Sequence, residues 1–450
     1  MKFMGRLFGT DGARGVANTE LTVELAMNIG RAAALVLSKH TNAKPQVLIG
    51  MDTRISGPML EGALTAGLCS VGADVILVGV VPTPAAAYLI GALNCTAGVM
   101  ISASHNPCEY NGIKLFDKDG YKLPDSIEEE IEAIVLDNAE QIPSPVRENV
   151  GRVTQRYDAK DIYIKHIIDT ATERFDGMKI ALDCANGASA VTARDIFTAL
   201  GADCDIIANE PDGVNINDGC GSTHIDKLAA YVKAHGYDCG FAFDGDADRC
   251  LAVDENGEII DGDKMIAIAA LDMKQRGVLK NDTAVMTVMT NIGFFKFAEK
   301  NGIAVKTTKV GDRYVLEEMR KSGYNIGGEQ SGHIIFSDFA STGDGELSAV
   351  QILCIMKRSG KTLSQLGGVM ECFPQVLVNI TVTNEVKALW QDNAAVKAAI
   401  DEVEQKLGND GRVLVRASGT EPLMRVMLEG KDIDEITTYA NKIADEIKKL

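Results

Sequence analysis

The chain has 450 residues, of which 46% are hydrophobic and 24% are charged, and its formal net charge is -18. This length suffices for two to four domains of an ordinary globular protein. The acidic balance excludes nucleic acid as a general partner, because phosphate backbones are bound by clustered Lys and Arg. An anionic substrate would have to be held by local donors against a repulsive overall field.

The cysteines and the apolar segments indicate a cytoplasmic protein with no membrane partner. The 10 cysteines form no CxxC pair, which favours a reducing compartment over a disulfide framework. The first residues contain no apolar core of signal-peptide length. Residues 75–93 carry no charge, but Pro82-Thr83-Pro84 divides them, so we predict a strand, a turn and a helix there.

Residues 1–155 alternate between helical and strand patterns, which predicts a mostly parallel sheet covered by helices. Helices are expected at 21–38, 57–71, 85–93 and 125–137, and strands at 45–50, 75–81 and 98–101. Residues 142–153 have the composition of a linker.

The alternation continues through two further units and then changes. Strands are expected at 179–183, 203–207, 239–243, 250–253 and 284–288, and helices at 161–171, 263–275 and 293–300. After residue 373 the pattern is α+β, because neighbouring strands replace the strand–helix–strand crossovers. Its expected strands are 376–382, 412–416 and 423–428, and its expected helices are 393–407 and 433–450.

The most informative local pattern is a serine at the end of an apolar run. Ser104 follows the buried strand 98–101 and precedes Asn106-Pro107, which ends that strand. At such a corner a serine hydroxyl can act as a nucleophile or carry a transferable group. The same pattern also fits a residue that caps a turn. If the segment is extended, the side chains of Ser102 and Ser104 point to the same side of it.

Three carboxylates alternate along residues 244–249, at Asp244, Asp246 and Asp248. Side chains with this spacing can converge on one hard cation, and oxygen-only ligation suits Mg²⁺ or Ca²⁺. An EF-hand is excluded because Arg249 stands where its turn needs glycine and because a strand follows the loop. The alternative is a solvated acidic hairpin, but three unpaired carboxylates in five residues repel one another. We therefore predict a metal site suited to Mg²⁺ bridging to a phosphate.

Two glycine-containing loops have the composition of ligand sites. Residues 416–422 combine hydroxyls, backbone amides and an arginine between two strands, which is typical of an anion-binding nest. Residues 327–333 combine Glu, Gln, Ser and His, which match the donors and acceptors of a polyol such as a sugar. Taken singly, each loop also fits a plain turn with polar residues.

Cationic side chains occur in three more places. Arg14 lies in a flexible loop at residues 9–15, and residues 309–313 supply two cations. Lys114 lies near Ser104 in sequence. The first two segments also fit solvated surface loops.

The order of these loops is highly specific when they are taken together. The chain resembles the α-D-phosphohexomutase superfamily along essentially its whole length, through residues 9–15, 102–107, 244–249, 328–333 and 416–422. Residues 211–217 and 220–224 point to the members that act on an amino sugar phosphate. Gln330 does too, because relatives acting on mannose or glucose phosphates usually carry Met there.

The resemblance implies four domains around a central cleft. Three would be similar mixed-sheet, Rossmann-like α/β domains, at 1–155 with the serine loop, 156–253 with the metal loop and 254–370 with the sugar loop. The fourth, at 371–450, would be an α+β domain with the phosphate loop. The resemblance also suggests a homodimer.

The resemblance further implies an intramolecular phosphotransferase, which is an isomerase. It would interconvert glucosamine 6-phosphate and glucosamine 1-phosphate through a phosphoserine and glucosamine 1,6-bisphosphate, the intermediate and activator. Its product would supply the synthesis of UDP-N-acetylglucosamine and of peptidoglycan precursors. The alternatives are a phosphomannomutase or phosphoglucomutase on the same scaffold, a phosphatase, and a sugar-phosphate-binding protein without catalysis.

Site residues follow from the same resemblance. Ser104 would be the phosphoserine and would complete, with Asp244, Asp246 and Asp248, the ligands of one Mg²⁺. The catalytic group would comprise Ser104, His105, Lys114, Arg14 and His333, with Lys114 and His333 as candidates for proton transfer. The substrate-binding residues would be Arg249, Lys309, Glu329, Ser331, Arg416, Ser418, Gly419, Thr420 and Arg425.

Overall fold

A computed structural model describes residues 6–9, 12–40, 44–138, 141–418 and 422–450. The chain packs as two compact units. The larger contains residues 1–289 and 303–369, and the smaller contains residues 290–302 and 370–450.

The larger unit begins with a six-stranded mixed sheet. Its elements are β1 (Ala13–Val16), α1 (Val23–His40), β2 (Gln46–Met51), α2 (Gly57–Ser70), β3 (Asp74–Val80), α3 (Thr83–Ala92), β4 (Ala97–Ile101), β5 (Tyr110–Asp117), α4 (Asp125–Asp137) and β6 (Val153–Gln155). The strand order is β1-β5-β4-β2-β3-β6. Strands β4, β2 and β3 run parallel, as predicted, and β6 is parallel to β3, whereas β5 runs antiparallel to both of its neighbours.

The structure differs from one local prediction for this sheet and adds a strand at the end of another segment. Arg14 lies in strand β1, opposite Gly112 of β5, and not in a flexible loop. The expected linker ends in a strand, because Val153 pairs with Val75 and adds β6 to the sheet edge. Both strands are short, and their ordering comes from pairing with distant segments.

The uncharged segment at residues 75–93 forms the predicted strand, turn and helix. Strand β3 ends before Pro82, which precedes helix α3. In the part of the chain that the structure describes, no helix has both the length and the apolar character needed to cross a membrane.

A second mixed sheet follows. Its elements are α5 (Lys160–Thr170), β7 (Lys179–Asp183), α6 (Ala193–Ala199), β8 (Asp203–Ile207), α7 (Asp226–His235), β9 (Cys239–Phe243), β10 (Cys250–Asp254) and β11 (Ile259–Ile260). The strand order is β11-β10-β9-β7-β8. Strands β9 and β10 form an antiparallel pair in which Phe243 lies opposite Cys250, so the acidic loop is the tip of a hairpin.

The third sheet has the order β13-β12-β14-β15 and is also mixed. The elements of this stretch are α8 (Gly262–Gln275), β12 (Thr283–Thr287), α9 (Ile292–Lys300), β13 (Ala304–Thr308), α10 (Asp312–Ser322), β14 (Ile326–Gly328), β15 (Ile334–Phe336), α11 (Gly345–Ser359) and α12 (Leu363–Gly367). Helix α9 belongs to the smaller unit.

The smaller unit contains an antiparallel sheet of order β16-β18-β17. Its remaining elements are β16 (Gln375–Thr381), α13 (Asn384–Leu389), α14 (Ala394–Leu407), β17 (Arg412–Ala417), β18 (Leu423–Glu429) and α15 (Ile433–Ile447). Apolar residues of α14, α15 and the strands form its core, among them Val403, Ile443 and Leu428. The prediction of three mixed α/β sheets followed by an α+β region is confirmed.

Helices α1 and α2 approach each other closely at glycines. A Cβ atom at Gly67 of α2 would lie 2.2 Å from the carbonyl oxygen of Met27 in α1. A Cβ atom at Gly30 of α1 would lie 2.8 Å from the carbonyl oxygen of Leu64. Gly62, on the same helix as Gly67, has no neighbouring atom within 4 Å of its Cβ position. The close contact therefore involves one face of α2.

We expect Gly67→Ala to destabilise the protein and Gly62→Ala to leave it unchanged or stabilise it. The methyl group at Gly67 meets backbone, and overpacking of this kind costs about 1–3 kcal/mol, or a fall of roughly 1–3 °C in thermal midpoint for a chain of this length. The same change at exposed Gly62 gains helix propensity. Differential scanning calorimetry of both variants checks this. Equal midpoints for the two variants would contradict the packing described.

Candidate functional site

The acidic loop gathers three carboxylates at one point. One oxygen from each of Asp244, Asp246 and Asp248 lies within 4.8 Å of the other two. Asp244 and Asp246 are 0% exposed and Asp248 is 9% exposed. Ala247 adopts a left-handed backbone conformation with φ 55°, which turns the loop between the second and third carboxylates. The predicted convergence at alternate positions is therefore present.

Burial and mutual repulsion give these carboxylates different proton affinities. Burial, followed by the charges of Asp248 and Asp246, raises the pKa of Asp244 to about 8. Burial also raises the pKa of Asp248, but Lys114 and then His333 outweigh it and hold that pKa well below its usual range.

Lys114 of strand β5 is the buried counter-charge of the trio. Its Nζ donates to Asp246 Oδ2 at 2.6 Å and lies 3.7 Å from Asp248 Oδ2. Burial lowers the pKa of Lys114, but the two carboxylates outweigh that effect and raise it above its usual value. These contacts make Lys114 the charge partner of Asp246 and Asp248.

The donor set fits a divalent cation. Asp246 Oδ1 and Asp248 Oδ1 are buried side-chain oxygens with no hydrogen-bond donor among the described residues. Buried acceptors of this kind are costly unless they are satisfied. Carboxylate oxygens without nitrogen or sulfur ligands favour hard cations such as Mg²⁺, Ca²⁺ or Mn²⁺.

Ser104 lies directly against this cluster. Its Oγ donates to Asp244 Oδ2 at 2.6 Å and lies 3.3 Å from His105 Nδ1. Ser104 has a left-handed backbone with φ 52°, so the segment is not extended at this residue. Ser102 Oγ instead donates to Asp52 at 2.6 Å and accepts from the Ser104 amide at 2.9 Å. The two serines therefore differ, and it is Ser104 that faces the carboxylates.

The two predicted histidines, His105 and His333, differ in their surroundings. Burial, followed by the charges of Arg249 and Arg14, lowers the pKa of His105 to about 4, so its imidazole is neutral near pH 7. His333 Nδ1 lies 3.7 Å from Asp248 Oδ2, and the Gly343 amide donates to its Nε2 at 3.1 Å. Burial lowers the pKa of His333, but Asp248 and then Asp312 outweigh that effect and raise it above its usual value. When His333 is neutral, the Gly343 donor at Nε2 leaves the proton on Nδ1, which faces Asp248.

The predicted sugar loop adjoins the acidic loop through backbone hydrogen bonds. The Cys250 amide donates to Gly332 O at 3.0 Å, next to Ser331, which is exposed. Glu329 Oε1 accepts from the Gly311 amide at 3.0 Å, which ties this loop to the segment that carries Lys309.

Two further predicted cations of the larger unit, Arg249 and Arg14, lie around the same cluster. The Arg249 amide donates to Asp244 Oδ1 at 3.1 Å, and its guanidinium lies 4.0 Å from Asp248 Oδ1. The positive charge of Arg14 acts to lower the pKa values of both His105 and Lys114. The larger unit thus brings together the serine, the carboxylates, two histidines and three cationic side chains.

The smaller unit carries the predicted phosphate-binding residues. Arg416 of β17 lies directly opposite Arg425 of β18. Burial, and then the charge of Arg425, lowers the pKa of Arg416. Ser418 is buried at the end of β17, and Gly419 and Thr420 lie outside the described residues. Like charges at paired positions repel, and a bound anion would relieve that repulsion.

Four residues that contact the site were not predicted. Thr83 Oγ1 donates to Asp246 Oδ2 at 2.6 Å, and Asn217 Nδ2 donates to Ser104 O at 2.9 Å. Asp52 and Arg54 hydrogen-bond to the serine corner. Thr83 lies between Pro82 and Pro84, which predicted only a turn between a strand and a helix. Asn217 ends residues 211–217, which contributed only to the family resemblance. The sequence therefore drew attention to both segments but assigned neither residue a role in the site.

Comparison with known proteins places this site in a family. Four models of the phosphoglucomutase/phosphomannomutase family match the chain in order: α/β/α domain I at 5–142, domain II at 161–257, domain III at 261–373 and the C-terminal domain at 377–446. The chain belongs to the phosphoglucomutase/phosphomannomutase family.

Curated relatives that match this chain over its full length are phosphoglucosamine mutases. Phosphoglucosamine mutase of Ruminiclostridium cellulolyticum is 56% identical over 445 residues, which cover 99% of both chains. Phosphoglucosamine mutase of Clostridium novyi is 55% identical over 446 residues, with the same coverage. The predicted superfamily is confirmed.

Solved structures share the fold. A phosphoglucomutase/phosphomannomutase family protein of Burkholderia thailandensis has a TM-score of 0.83 at 25% identity and covers 99% of this chain and 98% of its own. N-acetylphosphoglucosamine mutase of Aspergillus fumigatus, solved with GlcNAc-6P and magnesium, has a TM-score of 0.70 at 17% identity, with 98% and 95% coverage.

We expect Mg²⁺ or Mn²⁺ to raise the thermal midpoint of the protein, and Asp244→Asn to abolish most of that rise. A cation held at a hundred times its Kd stabilises the folded state by about 2.7 kcal/mol. Without cation, the variant should melt close to the wild-type midpoint, because the raised pKa of Asp244 already favours its uncharged form near pH 7. Differential scanning fluorimetry across a cation titration measures both effects.

Asp161→Asn, an exposed substitution on α5, is the matched control and should keep the full rise. An equal response of Asp244→Asn and the wild type would contradict a cation site at the acidic loop.

Proposed function

We propose that the protein interconverts glucosamine 6-phosphate and glucosamine 1-phosphate through phospho-Ser104. The observation that carries the proposal is the 2.6 Å hydrogen bond from Ser104 Oγ to Asp244, inside a cluster of three carboxylates. The full-length similarity to phosphoglucosamine mutases supports the choice of substrate. The product would supply synthesis of UDP-N-acetylglucosamine and cell-wall precursors.

The reaction consists of two phosphoryl transfers. In the first, the bond between phosphorus and Ser104 Oγ breaks while phosphorus bonds to the sugar oxygen O1 of glucosamine 6-phosphate. The O1 hydroxyl loses its proton in this step. In the second, Ser104 Oγ takes the 6-phosphoryl group of the resulting 1,6-bisphosphate, and the sugar O6 regains a proton. Such transfers depend on positioning and on charge neutralisation.

The residues around Ser104 supply both requirements. Asp244, Asp246 and Asp248 would hold one Mg²⁺, with an oxygen of phospho-Ser104 as a further ligand. When bound, this ion withdraws negative charge from the transferring group. Lys114 provides a permanent positive charge beside the carboxylates, and Arg14 provides another in strand β1. His105 is neutral and lies 3.3 Å from Ser104 Oγ, which favours it for proton exchange with that oxygen.

The remaining predicted residues are proposed to bind the substrate. Glu329 and Ser331, with Arg249 and Lys309, would hydrogen-bond the sugar and its reacting end. The phosphate that does not react would bind the smaller unit through Arg416, Ser418, Gly419, Thr420 and Arg425. The in-register arginine pair supports this role, because it concentrates positive charge at one place.

The domain organisation and the partners are also proposals. The order of the four family matches supports domains at 1–155, 156–253, 254–370 and 371–450. The phosphorylated amino sugar is the proposed small-molecule partner, and glucosamine 1,6-bisphosphate is the proposed activator. A homodimer and a cytoplasmic location stay predictions.

We expect Ser104→Ala to abolish mutase turnover while the fold persists, because the variant has no oxygen to carry the phosphoryl group. Activity is measured by conversion of glucosamine 6-phosphate with catalytic bisphosphate, and folding by circular dichroism. Mass spectrometry of wild-type protein should place one phosphate on the peptide that contains Ser104. Ser38→Ala, at the exposed end of α1, should retain wild-type turnover.

A comparison of kcat/KM for the glucosamine, glucose and mannose 6-phosphates distinguishes the proposed substrate from its alternatives. Glucosamine 6-phosphate should have a higher kcat/KM than the glucose and mannose 6-phosphates. A preference for mannose 6-phosphate would overturn the proposed substrate, and release of inorganic phosphate equal to turnover would identify a phosphatase. Substantial turnover by Ser104→Ala would contradict the phosphoserine route. A wild type that binds the sugar phosphate without isomerising it would favour the non-catalytic alternative.

A further inference from the structure

A buried arginine holds the backbone of the serine corner. Arg54 is 1% exposed. Its Nη2 donates to Ser104 O at 2.9 Å and to Asn106 O at 2.8 Å, and its Nη1 donates to Pro107 O at 2.5 Å. One guanidinium thus binds three carbonyl groups of the segment that carries the reactive hydroxyl.

A buried carboxylate orients this arginine and reaches the serine from the other side. Asp52 Oδ2 accepts from Arg54 Nε at 2.9 Å, and Asp52 Oδ1 accepts from the Arg54 amide at 2.9 Å. Asp52 Oδ2 also accepts from Ser102 Oγ at 2.6 Å, and Ser102 Oγ accepts from the Ser104 amide at 2.9 Å. A continuous set of hydrogen bonds therefore runs from Arg54 through Asp52 and Ser102 to Ser104.

These contacts fix both backbone polar groups of Ser104. Its carbonyl accepts from Arg54 and from Asn217, and its amide donates to Ser102. The residue has φ 52°, a conformation that non-glycine residues adopt only when their surroundings enforce it. With the backbone held in this way, Ser104 Oγ lies 2.6 Å from Asp244.

We propose that Asp52 and Arg54 are positioning residues for phosphoryl transfer, acting through Ser102 and the Ser104 backbone. This inference rests on the proposed function and deepens it. The planar guanidinium is required because its donors have fixed directions that match several acceptors at once. The four guanidinium hydrogen bonds described here go to the serine corner and to Asp52.

Arg54→Lys tests the proposal, because it keeps the charge but cannot make the same four bonds. We expect kcat for glucosamine 6-phosphate to fall roughly 10- to 100-fold, as misplacement of a reacting group by about 1 Å does, with KM changed less than about threefold. Amide hydrogen exchange of the peptide spanning 101–107 should become faster. Arg156→Lys, whose side chain pairs with Asp158 at the surface, is the matched control and should change neither quantity.

The outcomes separate this inference from the proposed function. An Arg54→Lys variant with wild-type kcat and wild-type exchange of the 101–107 peptide overturns the positioning role. A proportional loss of folded protein, with normal kcat per folded molecule, also overturns it. If Arg54→Lys does not fold, Ser102→Ala should show a smaller kcat loss with unchanged KM, and wild-type kcat there would contradict the proposal. If the wild type lacks mutase activity, the proposed function fails, and the exchange rates alone decide whether Arg54 holds the corner.

Discussion

The hydrogen bond between Ser104 Oγ and Asp244 is the interaction on which the site depends. It joins a loop that follows β4 of the first sheet to a hairpin tip of the second sheet. The two loops can approach only because position 245 has no side chain, since a Cβ there would lie 2.7 Å from Ser104 O. A reactive hydroxyl and a cation-binding loop, which are 140 residues apart in sequence, are thereby held in one place.

Charge balance sets the chemistry of this junction. Two of the three buried carboxylates, Asp246 and Asp248, share Lys114 as a direct partner, and Arg249 lies beside the cluster. The pKa of Asp244 rises to about 8, whereas that of Asp248 falls, so without a cation the cluster favours a proton on Asp244. A divalent cation completes the balance, and a phosphorylated Ser104 adds the negative charge that such a cation can share. Metal and phosphate binding are therefore expected to support each other.

Local patterns predicted the parts of this site that depend on neighbouring residues. The alternate spacing predicted that Asp244, Asp246 and Asp248 converge, and the apolar run before Ser104 forms the expected strand. The local pattern did not distinguish Ser102 from Ser104, because that choice depends on the left-handed backbone at Ser104, and only the family resemblance assigned the role to Ser104. It also missed Thr83 and Arg54, whose partners lie 163 and 50 to 53 residues away. Such contacts exist only after the sheets have assembled.

The fate of a labelled phosphate on Ser104 tests the central claim most directly. Protein labelled on Ser104 with ³²P from the bisphosphate would be mixed with excess unlabelled glucosamine 6-phosphate and quenched at successive times. The account predicts that label leaves the protein for sugar phosphate at least as fast as overall turnover. Label that stays on Ser104 during turnover, or that leaves as inorganic phosphate, would contradict the role of Ser104 as the carrier of both phosphoryl groups.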